Sequence, residues 1–148
     1  MAKQKKYYTV VINASREKVW QTLWDDATYR EWTSAFGSGS HAVTDWQKGS
    51  KVLFLGSEDS GMVSRIAESI PNEYMSFEHL GEIKNGVEDT TSERVQQWAG
   101  STENYTLKTT DAGTELVIDI DISDEFLEMF DAIWPKALAK LKDAAERP

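Results

Sequence analysis

Apolar and aromatic residues follow a fixed order of patterns along this chain, and that order limits the folds the chain can adopt. A β-branched and aromatic segment at residues 7–12 comes first, two short helical stripes follow, and a run of strand-like segments leads to one long helical stripe. Alternation places apolar side chains on one face of a strand, whereas spacings of three and four place them along one side of a helix. The order favours a curved sheet wrapped around a C-terminal helix, an arrangement that tends to enclose a hydrophobic pocket.

Two short helices are predicted after the first strand. Ser15 is a suitable N-cap, and Glu17 lies in the first turn, where a carboxylate is favourable. Large apolar residues then recur at helical spacing: Val19, Trp20, Leu23 and Trp24. A second helix is predicted over residues 28–32, with Tyr29 and Trp32 on the same face.

Six further strands are predicted, separated by Gly-rich and Pro-Asn turns. They cover residues 40–46, 51–55, 62–70, 74–82, 103–108 and 116–122, and the last has the clearest alternation. Residues 83–97 show no clean period and are predicted to form a loop, with a helical turn from Ser92 as the alternative.

A long helix is predicted to close the chain, beginning near Ser123 or Asp124, because acidic residues suit the N-terminal end of a helix. Its apolar stripe consists of Phe126, Phe130, Ile133, Trp134, Ala137, Leu138 and Leu141. The order β-αα-β×6-α predicts one α+β domain over residues 1–148, with helices on one side of an antiparallel sheet.

The composition argues against several classes of function. No cysteine is present, which excludes disulfides and thiolate catalysis, and the two histidines show no metal-binding spacing. The net charge of −9 disfavours nucleic acid as a partner. No apolar run approaches the roughly 20 residues needed to span a bilayer, and no secretory signal is visible. A cytoplasmic protein without metal or cofactor is therefore expected.

Several short motifs occur together in one order. They are Ile12-Asn13-Ala14-Ser15 with Val19-Trp20, Glu31-Trp32-Thr33, Gly61 before Pro71, Trp98 with Glu103-Asn104-Tyr105, Gly113-Thr114, and Trp134-Pro135-Lys136-Ala137-Leu138. Each motif is weak alone, and the specificity comes from their order over nearly the whole chain. With this order the chain resembles the SRPBCC or START-like superfamily, specifically the branch of the activator of heat-shock-protein-90 ATPase homologues (AHSA-type).

The resemblance implies a helix-grip (START-like/Bet v-like) fold, in which a curved antiparallel sheet grips the C-terminal helix around a cavity. Members of the superfamily bind lipids, sterols, polyketides or plant hormones, and a few are enzymes. A hydrophobic small molecule is therefore the expected partner, and a heat-shock chaperone is the alternative. Both a monomer and a homodimer remain open.

Eleven residues are candidates for the lining of the pocket. They are Trp24, Trp32, Phe54, Phe77, His79, Trp98, Glu103, Tyr105, Phe126, Phe130 and Trp134. For any single aromatic residue among them, a place in the solid core is the alternative. As a set they indicate an apolar cavity with few polar anchors, which is typical of a small-molecule site.

His79 and Glu103 are the ionisable candidates. His79 alternates along its strand with Met75 and Phe77, and Glu103 shares a face with Tyr105. Burying a carboxylate costs several kcal/mol unless it is paired, so an inward Glu103 needs a partner or a ligand. The alternatives are a core histidine satisfied by its neighbours and a glutamate at an exposed strand end.

Three functions remain open on the sequence. The first is binding of a hydrophobic or aromatic ligand between the sheet and the last helix, and the second is the co-chaperone-like interaction that the resemblance implies. The third is a cyclase- or hydrolase-type enzyme that uses His79 or Glu103 as a general acid or base. The sequence shows no orienting partner for either side chain, so no catalytic residue is assigned.

Overall fold

An antiparallel sheet of eight strands curves around a long C-terminal helix in the computed structural model, which describes residues 3–37 and 39–147. The elements follow in the order β1 (Lys3–Ile12), α1 (Arg16–Trp24), α2 (Asp26–Thr33), β2 (His41–Val43), β3 (Lys51–Leu55), β4 (Gly61–Ile70), β5 (Tyr74–Lys84), β6 (Val87–Asp89), α3 (Glu93–Gln96), β7 (Thr102–Thr110), β8 (Gly113–Ser123) and α4 (Leu127–Glu146). This confirms the predicted α+β helix-grip arrangement.

The sheet runs in the order β1-β8-β7-β5-β4-β3-β2, with β6 paired to β5. β1 and β8 pair over their full length, from Lys3 opposite Ser123 to Ile12 opposite Thr114. The inward residues of β8 are buried at every second position: Leu116, Ile118, Ile120 and Ile122. Alternation in the sequence therefore predicted correctly which face of β8 meets the core.

The helices pack on the inner face of this sheet. Ser15 caps α1 because its Oγ accepts a hydrogen bond from the Lys18 backbone N–H at 3.1 Å. α4 contacts α1, α2 and β1. Its buried stripe consists of Trp134, Ala137, Leu138, Leu141, Ala144 and Ala145. No helix among the described residues is long and apolar enough to cross a membrane.

Two segments differ from the sequence prediction. The strand expected over residues 40–46 is only His41–Val43, and the backbone leaves the extended region by Trp46, which has φ of 61°. The expected loop over residues 83–97 holds the end of β5 and all of β6, whereas the alternative, a helical turn from Ser92, is confirmed by the short helix α3 with Ser92 as its N-cap. Asn85 and Gly86, with φ of 50° and 81°, form the two-residue turn between β5 and β6. Asn-Gly is a strong hairpin signal, and the prediction of a loop overlooked it.

Gly113, the first residue of β8, lies against the end of β1 and the segment that connects β1 to α1. Its φ is 132°, and a Cβ atom there would lie 2.3 Å from the carbonyl oxygen of Ile12 and 2.9 Å from the nitrogen of Ala14. We expect Gly113→Ala to lower the free energy of unfolding by about 1–3 kcal/mol, because the backbone must move or the residue must remain strained.

Urea denaturation of Gly113→Ala beside Gly86→Ala measures this effect. Gly86 also has a positive φ, 81°, but a Cβ there meets open space, so its substitution carries only the conformational cost. An equal loss of unfolding free energy in the two variants would show that crowding against Ile12 and Ala14 does not contribute to the effect of Gly113→Ala.

Candidate functional site

A cavity of about 640 Å³, partly open to solvent, lies between the inner face of the sheet and helices α2 and α4. Its walls come from α2, the segment that follows it, strands β3, β4, β5, β7 and β8, the loop before β7, and the first half of α4. The volume falls within the roughly 300–1,000 Å³ of small-molecule sites.

Most of the candidate residues meet in this cavity. Those in its lining are Trp32, Phe54, His79, Trp98, Glu103, Tyr105, Phe126, Phe130 and Trp134. They come from α2, four stretches of the sheet and its loops, the turn between β8 and α4, and α4 itself, so only the tertiary structure brings them together.

Trp24 and Phe77 are the candidates that the structure places elsewhere. They are 5% and 0% exposed and belong to the solid core beside the cavity. Their rings contact each other at 5.5 Å between centroids, and Trp24 contacts the ring of Tyr105 at 5.0 Å. Phe77 also contacts Phe54 at 5.1 Å. Trp24 and Phe77 therefore pack against the lining residues Phe54 and Tyr105 from the core.

Sequence reasoning missed other lining residues. Phe36 is absent from the eleven candidates, yet it lines the cavity and its ring lies 5.0 Å from that of Trp134 between centroids. Glu82 reaches the inner face because the register of β4 and β5 shifts between Val63 and Ser64, which puts Glu82 opposite Met62. Simple alternation from His79 places Glu82 outward, and only the bulge reverses it.

Polar side chains form a single chain at the inner wall. Ser64 Oγ lies 2.7 Å from His79 Nδ1, and His79 Nε2 lies 3.1 Å from Glu103 Oε1. The other carboxylate oxygen, Oε2, accepts a hydrogen bond from the Tyr105 hydroxyl. A carboxylate only accepts, so Nε2 carries a proton, and the Ser64 hydroxyl can serve Nδ1 either as donor or as acceptor. His79 is thus oriented by side chains from β4 and β7, and Glu103 by His79 of β5 and by Tyr105 of its own strand.

The tyrosines near Glu103 remain protonated hydrogen-bond donors. Burial, together with the Glu103 charge and its hydrogen bond, raises the pKa of Tyr105 well above its ordinary value. Burial and the charge of Glu103 raise the pKa of Tyr29 as well. Both side chains line the cavity. The Glu103 carboxylate is consequently the group that concentrates negative charge at this wall.

The remaining charged groups lie toward the mouth. Glu82 forms an ion pair with Arg94, and the side chains are 25% and 63% exposed. The Asp121 carboxylate accepts a hydrogen bond from the Thr102 backbone N–H at 2.9 Å and forms an ion pair with Lys5 at 3.2 Å. Glu125 is exposed. In the part of the chain that the structure describes, no group of three or more His, Asp or Glu side chains is arranged to hold a metal ion.

A curved antiparallel sheet that grips a C-terminal helix around an aromatic cavity defines the helix-grip class of the SRPBCC type. The family model described as "Activator of Hsp90 ATPase homolog 1-like protein" matches residues 13–146. The chain belongs to this family. No curated protein is similar enough in sequence to be matched to it.

Solved structures share the whole architecture at low sequence identity. The solution structure of an Aha1 dimer from Colwellia psychrerythraea is 20% identical, with a TM-score of 0.74 over 97% of this chain and 96% of that one. A protein from Mesorhizobium loti is 15% identical, with a TM-score of 0.73 over 97% and 98% of the two chains. A protein from Cytophaga hutchinsonii is 19% identical, with a TM-score of 0.67 over 95% and 92%. At these identities the likeness shows the fold alone.

Proposed function

We propose that this protein is a binding module that holds a hydrophobic or aromatic small molecule in the cavity between the sheet and α4. The observation that carries the proposal is the cavity itself, about 640 Å³ in volume and walled by aromatic rings from α2, the sheet and α4. One buried polar chain, from Ser64 to Tyr105, interrupts that wall. Apolar walls with few placed polar groups are the usual composition of a ligand site.

Binding fits this polar chain better than catalysis does. The ring nitrogens of His79 contact Ser64 and Glu103, so a bound molecule could exchange a proton with His79 only by way of one of these two side chains. The Ser64 side chain is fully buried and does not belong to the lining, so it cannot act as a nucleophile. The role we assign to His79 is to hold the Glu103 carboxylate in place.

A chaperone interaction is the second candidate function, and the family match favours it. Its test is the ATPase rate of a heat-shock chaperone of the 90 kDa class with and without the purified protein. The solved relative from Colwellia psychrerythraea is a dimer. For the present chain, a monomer or a homodimer and a cytoplasmic location stay predictions.

Ligand binding should be visible through the tryptophans of the lining. Trp32, Trp98 and Trp134 face the cavity, so a hydrophobic library should contain compounds that change their fluorescence saturably. At 100 times its Kd, such a compound stabilises the folded state by about 2.7 kcal/mol and raises Tm accordingly.

We expect Ile122→Phe to weaken binding about tenfold or more, because the larger side chain intrudes into the cavity from β8.

The matched control is Val117→Phe, which adds the same ring to β8 outside the lining. It should leave the affinity unchanged. Equal affinities for the two variants, or a library without any saturable response, would count against the cavity as the binding site.

A further inference from the structure

We propose that the ligand is a hydrophobic amine whose protonated nitrogen is held by Glu103. This inference rests on the proposed function, since it names the chemical class that the same cavity selects. It follows from the hydrogen-bonding capacity of Glu103, from the charges of the lining and from the rings that surround them.

Glu103 has acceptor capacity to spare. A carboxylate offers about four lone-pair positions, and the structure uses one on each oxygen, for His79 and for Tyr105. The side chain lines the cavity and is 16% exposed, so it is neither sealed in the core nor fully hydrated. A ligand with a donor group can therefore complete its hydrogen bonds.

Glu103 also has no lysine or arginine partner in the described part of the chain. Among the residues that the structure describes, its one salt-bridge contact is with His79, and no Lys or Arg side chain pairs with it. Burial weakens the screening of a charge by water, so an unneutralised carboxylate attracts a cation more strongly here than at the surface. A protonated amine supplies both the missing charge and N–H donors in one group.

The lining disfavours an anionic ligand. Its carboxylates are Glu82, Glu103, Asp121 and Glu125, of which Asp121 is paired with Lys5; the other three stand against one guanidinium, that of Arg94. Arg94 is already paired with Glu82. A fatty acid or another carboxylate that enters this cavity would meet net negative charge and no free arginine or lysine among the described lining residues.

Aromatic rings near Glu103 add to the preference for a cation. Tyr105, which donates its hydroxyl hydrogen bond to Glu103, lies 6.4 Å from Trp134 between ring centroids. Trp32 and Trp98 also line the cavity. The faces of indole rings attract ammonium groups, most strongly where water is excluded. The site therefore combines an acidic anchor with an aromatic enclosure for the hydrocarbon part of the amine.

Three probes with one skeleton test the inference: 2-(2-naphthyl)ethylamine, 2-(2-naphthyl)ethanol and 3-(2-naphthyl)propionate, titrated calorimetrically at pH 7 and low salt. We expect the amine to bind at least tenfold more tightly than the alcohol, and the propionate to bind most weakly. In Glu103→Gln the amine should lose at least tenfold in affinity while the alcohol changes less than threefold. Glu128→Gln, which neutralises an exposed carboxylate outside the lining, should change the affinity for the amine less than threefold.

The other possible outcomes of these titrations contradict either the assignment of an amine or the proposed binding function. Equal affinities for the amine and the alcohol, or tightest binding of the propionate, would overturn the assignment of an amine and leave the binding function intact. No binding of any probe would instead count against the proposed function. If Glu103→Gln does not fold, the ranking of the three probes on the unsubstituted protein still decides the question.

Discussion

Phe77→Ala is expected to lower the free energy of unfolding by about 3–5 kcal/mol, the usual cost of truncating a buried phenylalanine. The ring of Phe77 is 0% exposed and packs against Trp24, Phe54 and Tyr105. The neighbouring rings are held from several elements, so they can collapse only partly onto the space left behind. Urea denaturation monitored by circular dichroism measures the loss.

Phe126→Ala is the matched comparison, because the same side chain there lines the cavity and is 46% exposed. Its truncation should cost less than about 1 kcal/mol of stability. It should weaken ligand binding, since it removes part of the wall. Similar stability losses at the two positions would refute the division between a solid core at Phe77 and an open cavity at Phe126.

The hydrogen bond between His79 and Glu103 should show strong energetic coupling. His79→Leu leaves the buried Ser64 hydroxyl without its imidazole partner and removes one donor from Glu103. Glu103→Leu leaves the His79 N–H and the Tyr105 hydroxyl without their acceptor. We expect each single variant to lose about 2–4 kcal/mol, because unsatisfied buried polar groups are costly.

The double variant should be less destabilised than the sum of the single variants by about 1–3 kcal/mol, since neither partner is left unpaired. The exposed ion pair of Lys51 and Glu88 is the control, and its double-mutant cycle with alanine should give less than about 1 kcal/mol. Additive losses at His79 and Glu103 would mean that the two side chains do not stabilise each other.

Local pattern explains why much of the fold could be predicted. The alternation in β8 depends only on neighbouring residues, and its buried positions were predicted correctly. The position of β6 was missed although Asn85 and Gly86 carry a turn signal, because the segment around them is polar and shows no strand period. Glu82 was missed for a different reason: the bulge opposite β4 depends on strand pairing, which no local pattern records.

The sequence by itself determined the kind and order of most secondary structure elements and most of the faces that they bury. These follow from side-chain periodicity, which acts over a few residues. Only the tertiary structure decided that His79 meets Ser64 and Glu103, which lie 15 and 24 positions away along the chain. It also decided that the sheet and α4 enclose an open space. Register and the distance between packed elements depend on the whole chain at once, and for that reason neither can be read from a local pattern.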